Sequence, residues 1–135
     1  MRWCCLVTTP VLWCFGHMIL KPNFILPARE SSNFAEEYKL VPELTLACLQ
    51  RFVPPAVPGI MFLSGGLSEE ESVQILNDLN KIDNKKVWKL SYSYGRALQT
   101  STLDAWRGKK ENIKVAQEAF IKQAVLCSKA EQGQL

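Results

Sequence analysis

The sequence predicts an α/β fold: a parallel sheet whose strands are each followed by covering helices. Three observations lead there. Short apolar runs alternate with segments of helical periodicity, giving the order strand, helix, strand, helix, strand, helix. Each apolar run stops at proline, glycine or serine before the helical pattern starts. One helix start is written out as a capping box, Ser68-x-x-Glu71, with three acidic residues in its first turn to favour the helix dipole.

In chain order, Phe15 to Leu26 reads as a buried strand and its following loop, with Pro22 and Pro27 as punctuation. Asn33 to Phe52 has helical composition, but Pro42 falls inside it. Proline is tolerated in the first helical turn, so the pattern predicts a shorter helix from Pro42 to Phe52. Val53 to Gly59 is a loop, and Ile60 to Leu63 a short strand ending in Ser64-Gly65-Gly66. The helix opened by Ser68 carries Val73, Ile75, Leu76, Leu79 and Ile82 on its apolar face. Val87 to Tyr94 alternates, with Trp88, Leu90, Tyr92 and Tyr94 on one side and Lys89, Ser91 and Ser93 on the other. Gly95 ends it. Helices then run from about Arg96 to Trp106 and from about Glu111 to Glu131. Ile113, Ala116, Phe120, Ala124 and Cys127 line the apolar face of the last.

The 135 residues make one domain's worth of chain. An apolar fraction of 47% and a charged fraction of 21% are ordinary for a globular protein. Net charge is +3, and Lys and Arg are scattered among Asp and Glu, so the basic stripe of a nucleic-acid protein is missing. Cys4, Cys5, Cys14, Cys48 and Cys127 form no CxxC and have no histidine at metal-ligand spacing, which predicts reduced thiols and no metal. Met1 to Leu20 starts with one basic residue and a long apolar run, like the opening of a signal peptide. Thr8, Thr9 and Pro10 interrupt it, and it leads straight into the Lys21 segment, so no membrane association is expected.

In parallel α/β folds ligands sit at the carboxyl ends of the strands. Three such ends carry suggestive residues: Lys21, then Ser64-Gly65-Gly66, then Ser93 and Arg96. Glycines let backbone N–H groups approach an anion, and a helix start behind them adds favourable dipole. A guanidinium such as that of Arg96 suits phosphate. A lysine on an apolar strand end loses hydration of its ammonium form, and the neutral amine that results can attack a ketone. Each has a plainer reading. Lys21 is equally an edge lysine whose ammonium snorkels to water, and on composition alone that reading weighs more. Ser64 to Gly66 is equally a capped loop, and Arg96 a surface residue. Together, at successive strand ends, they point to a phosphorylated carbonyl substrate.

Four blocks, "LKPNF" at Leu20 to Phe24, "VPPAVPGIMFLSGG" at Val53 to Gly66, "SEEES" at Ser68 to Ser72 and "WKLSYSYGRALQTSTLDAW" at Trp88 to Trp106, closely resemble class I fructose-bisphosphate aldolase. "GKKENIKVAQEAFIKQA" at Gly108 to Ala124 continues the likeness. It covers about Ile19 to Gly133, while the first sixteen or so residues match poorly. It implies a (β/α)8 TIM barrel present only as an incomplete C-terminal half-barrel, strands six to eight with their helices. A divergent apolar segment would occupy residues 1–16 and the partial barrel domain residues 17–135. By position, Lys21 falls on the family's Schiff-base lysine. Ser64, Gly65 and Gly66 fall on its phosphate-holding segment, and Ser93 and Arg96 on substrate-binding positions, with Arg96 on phosphate. The resemblance implies a cytoplasmic glycolytic lyase that needs no metal or other cofactor, acts on a phosphorylated sugar and assembles as a homo-oligomer.

The departures are specific. Phe15-Gly16-His17 stands where the family has a Glu-Gly pair, and Pro42 falls where it has helix. The family's general acid/base carboxylates and accessory lysines lie on earlier strands than these, and proton transfer is worth on the order of 100-fold or more in rate. Little turnover is therefore expected of these residues alone, and a non-catalytic fragment or interaction module is the alternative. Three strands do not close an eight-stranded barrel, so one sheet face and two edges are expected open. The chain by itself is predicted to be marginally stable and to associate. Size-exclusion chromatography with a urea melt checks this: a compact monomer with one cooperative transition contradicts it.

Overall fold

The computed structural model describes residues 15–82 and 86–135. Most of the apolar N-terminal segment, with Cys4, Cys5 and Cys14, lies outside the described residues. Among the described residues the sheet has three strands, β1 (Ile19–Leu20), β2 (Gly59–Phe62) and β3 (Lys89–Tyr92), in the order β1-β2-β3 and all parallel. Between β1 and β2 lie α1 (Phe34–Lys39) and α2 (Val41–Phe52). The helix α3 (Glu69–Lys81) joins β2 to β3, and α4 (Arg96–Trp106) and α5 (Ile113–Glu131) follow.

The register pairs Leu20 with Ile60 and Ile60 with Leu90. Side chains alternate along a strand, so this row shares one face. Ile60 and Leu90 are buried there with Phe62, under Leu46 and Leu49 of α2 and Val73, Leu76 and Leu79 of α3. The neighbouring row, Ile19, Gly59 and Lys89, lies on the other face, where Ile19 is 60% exposed. Among the described residues β1 and β3 are the sheet edges, and Ile19 and Lys89 are exposed on the far face, in line with the expected open face, although Ser91 on it is buried.

The helices follow from their local chemistry. Ser68 Oγ accepts from Glu71 N at 3.1 Å while Glu71 Oε2 accepts from Ser68 N at 2.8 Å, the reciprocal pair that the spacing predicts. Pro42 sits in the first turn of α2 without interrupting it. Long-range polar bonds then lock the layers. Asn80 Nδ2 donates to the carbonyls of Leu90 and Ala130, tying α3 to β3 and α5. Gln123 Nε2 donates to Ala97 O at 2.9 Å, Tyr94 Oη to Ser72 O at 2.9 Å and Trp88 Nε1 to Pro54 O at 3.0 Å.

Four expectations need correction. The segment from Phe15 is not a buried strand: a 3-10 turn, Phe15–His17, precedes a strand of two residues. Its edge position leaves Ile19 in water, and the buried anchor is Phe24, stacked on Phe62 with centroids 4.4 Å apart. Residues 34–39 form a helix of their own. On β3 the polar side is not all solvated, since Ser91 is buried with Leu90. On α5, Ala116 and Cys127 are buried as expected, but Gln123 and Ala130 join them while Ile113 and Phe120 stay exposed. Those two line an apolar groove of about 500 Å³ between α4 and α5 with Trp106 and Ile121. The periodicity marks the helix correctly, but several apolar stripes fit it and only packing against α3 and α4 selects one.

Cys48 and Cys127 are free thiols. Burial, and secondarily Glu69, push the Cys127 thiol up to about 11. Below about pH 9 both folded and unfolded chains hold this proton; above it only the unfolded chain releases it, so stability falls as pH rises from about 9 to about 11. Urea melts across that window are expected to show the loss, and Cys127→Ala is expected to reduce it, most clearly below about pH 10, where the raised tyrosine hydroxyls do not yet contribute.

Candidate functional site

All three strands run the same way, so their carboxyl ends share one edge of the sheet. The ladder carries on past each strand. Leu63 N donates to Pro22 O at 3.0 Å, and Ser93 N donates to Phe62 O at 2.8 Å. Lys21 follows β1 directly, one step beyond the Leu20–Ile60 pair, which sets it abreast of Met61 and Ser91. By the alternation it stands on the same open face as Ile19, and its side chain is exposed.

The loop after β2 is shaped by its glycines. Gly66 has φ +80°, a region that costs a side chain strain, and Leu67 N closes the turn onto Ser64 O at 3.0 Å. At Gly65 a Cβ would come within 2.8 Å of Leu63 Cδ1 and 3.6 Å of Asn23 Nδ2. The loop is thus pressed against the segment that carries Lys21, and it delivers the chain to the capped start of α3. After β3, Ser93 is exposed, and Arg96 is the first residue of α4.

A cleft of about 610 Å³ opens between these loops. Gly66, Leu67 and Ser68 form one wall, Arg96, Ala97 and Ser101 the other, and Arg29 closes one side. The first turns of α3 and α4 both border it, which favours negative charge in it. Glu69, Glu70 and Asp104 border it as well, and Glu69 Oε1 accepts from Ser101 N at 2.9 Å. Of the sequence-predicted residues, Gly66 and Arg96 share this cleft. Lys21, Ser64, Gly65 and Ser93 lie at the adjoining strand ends without lining it. Tyr94, at the β3 end, has its hydroxyl raised far above the usual range by burial, so it serves as a neutral hydrogen-bonding anchor to Ser72. Among the described residues no cluster of three His, Cys, Asp or Glu side chains is arranged to hold a metal ion. Nor is any helix there long and apolar enough to cross a membrane.

Sequence reasoning missed Arg29. Its guanidinium donates to Gly66 O across 37 residues of chain. No local signal marks it, because an arginine in a loop is ordinary and the contact exists only once β1 and β2 pair.

The family profile for fructose-bisphosphate aldolase class-I matches residues 6–135. The chain belongs to the class I fructose-bisphosphate aldolase family. It is 54% identical over 114 residues to the cytoplasmic isozyme of Spinacia oleracea, covering 84% of this chain and 31% of that one. It is 52% identical over 115 residues to fructose-bisphosphate aldolase 6, cytosolic, of Arabidopsis thaliana, covering 85% and 32%. Fructose-bisphosphate aldolase from Plasmodium falciparum, solved in complex with TRAP and a small-molecule inhibitor, superposes with TM-score 0.80 at 44% identity. That superposition covers 86% of this chain and 33% of the other. This aldolase-family chain therefore spans about a third of the length of the relatives it matches. The three-stranded parallel sheet of the described residues is consistent with an incomplete barrel of that family.

The positive φ of Gly66 gives a direct expectation. Gly66→Ala meets no neighbour within 4 Å but must hold φ +80°, so it is expected to cost about 1 kcal/mol in a urea melt. An unchanged midpoint contradicts the loop conformation described here.

Proposed function

We propose that this chain carries the imine-forming and phosphate-binding part of a class I fructose-bisphosphate aldolase. Lys21 is the nucleophile; Ser64, Gly65, Gly66, Ser93 and Arg96 bind substrate. What supports this reading above all is the parallel register, which gathers Lys21, the glycine loop and the Ser93–Arg96 turn at one edge. The match of each position to the family's motifs agrees with it.

In this reading fructose 1,6-bisphosphate enters with its 1-phosphate toward the backbone N–H groups of the Ser64–Gly66 loop and the Arg96 fork. The amine of Lys21 adds to the C2 ketone, and the carbinolamine, its hydroxyl protonated by a group on another strand of the barrel, loses water to leave a protonated imine. That cation accepts the electron pair of the C3–C4 bond as it breaks. Glyceraldehyde 3-phosphate departs, and the enamine left on Lys21 takes a proton at C3. Hydrolysis then returns dihydroxyacetone phosphate and free lysine. The proton transfers at the C4 hydroxyl and at C3 fall to groups on other strands of the barrel. So does the exclusion of water, since Lys21 stands exposed on the open face. The cytoplasmic names of the relatives support a cytoplasmic setting, and the open sheet face supports assembly with further protein, a homo-oligomer included.

The exposure of Lys21 favours a second reading, a non-catalytic aldolase fragment or interaction module. Incubation with dihydroxyacetone phosphate and borohydride, followed by mass-spectrometric mapping, separates the two. The nucleophile reading predicts one adduct on Lys21 that Lys21→Met abolishes. No adduct, or labelling spread over surface lysines, supports the second reading.

A further inference from the structure

The loop after β1 and the loop after β2 meet at three places. At one Leu63 N donates to Pro22 O at 3.0 Å, and at another a Cβ placed on Gly65 would stand 3.6 Å from Asn23 Nδ2. The third is a strut. Arg29 reaches over from the segment that follows Lys21 and donates its guanidinium to the carbonyl of Gly66. Gly66 is the residue whose φ of +80° turns the chain toward α3.

The surroundings of Arg29 leave that carbonyl as its partner. It borders the 610 Å³ cleft on one side. On the other it borders a smaller cavity of about 90 Å³ with Phe34, Tyr38, Leu67 and Glu71. The Glu71 carboxylate there is held by Ser68 N in the capping box. The Tyr38 hydroxyl is buried with no hydrogen-bond partner among the described residues, and it is raised to about 12, chiefly by burial. Among the described residues no carboxylate pairs with Arg29. A carbonyl bonded to a cation has its peptide plane fixed, and the Gly66–Leu67 peptide is the link between the glycine loop and the capped helix.

We infer that Arg29 is a positioning residue: it holds the Gly66 peptide so that the amides of the Ser64–Gly66 loop converge on a phosphate. This rests on the phosphate-binding reading of that loop given above. Arg29 borders the cleft that Gly66 and Arg96 share; in this reading it acts through Gly66, and it couples the segment after Lys21 to the loop after β2.

The test compares the full 135-residue chain with Arg29→Ala and Arg29→Lys, using amide hydrogen exchange and a titration with inorganic phosphate followed by backbone amide shifts. Loss of a charged hydrogen bond is expected to speed exchange at Gly66 and Leu67 about tenfold in Arg29→Ala, and to weaken phosphate about tenfold. The amides of α3 beyond its first turn are expected to keep their protection. Arg29→Lys keeps a cationic donor and is expected to restore most of both effects. Unchanged exchange at Gly66 and Leu67 in Arg29→Ala overturns the strut. Faster exchange with unchanged phosphate affinity, or no rescue by Arg29→Lys, overturns its positioning role. If the wild-type loop shows no amide shifts with phosphate, the phosphate reading fails, and the exchange comparison still decides whether the strut exists.

Discussion

The pairing of β2 with its two parallel neighbours is the constraint on which the other features depend. It sets Leu20, Ile60 and Leu90 in one row beneath the helices, and so decides which face of the sheet becomes core. A slip of one residue would move that row into water and bring Ile19 and Lys89 inward. The same register brings three strand ends to one edge, and every proposed functional residue lies on that edge or in the loops leaving it. Ile60 and Phe62, fully buried, anchor the arrangement, and Phe24 stacks on Phe62 just beyond Lys21.

Around this sheet the polar bonds do what the apolar contacts leave undone. Asn80 ties three layers, and Gln123 fixes α5 against the first turn of α4, directly behind Arg96. Such buried partners matter because an unmatched amide would cost more than its bond contributes. The opposite face has no such support. Ile19 and Lys21 stand exposed there, and Lys89 meets Glu131 at 3.6 Å, an ion pair whose lysine is three-quarters exposed and therefore weak. The strand-end side thus resembles one wall of a site.

Much of this was legible in the residues. The capping box placed the start of α3 because both partners are local, and Pro42 placed the first turn of α2 because its fixed φ and missing N–H act locally too. The strand–helix order announced the parallel sheet. What escaped was non-local. The apolar run at the chain start looked like a buried strand, yet whether a strand is buried depends on what lies against it, and Ile19 is left 60% exposed. The helical stripe through Ile113 and Phe120 was real, but α3 packs on the neighbouring stripe through Cys127 and Ala130. Within the site, the glycines and the arginine after β3 were readable because strand ends are where ligands sit. The reach of Arg29 to Gly66 was not, since it follows from register and not from composition.

The most direct test of the account is therefore a measurement of that register. Cross-strand nuclear Overhauser contacts in isotopically labelled protein are expected to run in step along Leu20, Ile60 and Leu90, and again along Phe62 and Tyr92, with all three strands parallel. Contacts that pair Ile60 with Lys89 or Ser91 as its direct neighbour, or that run antiparallel, would contradict the account at its base, because Lys21, the glycine loop and Arg96 would then no longer share an edge.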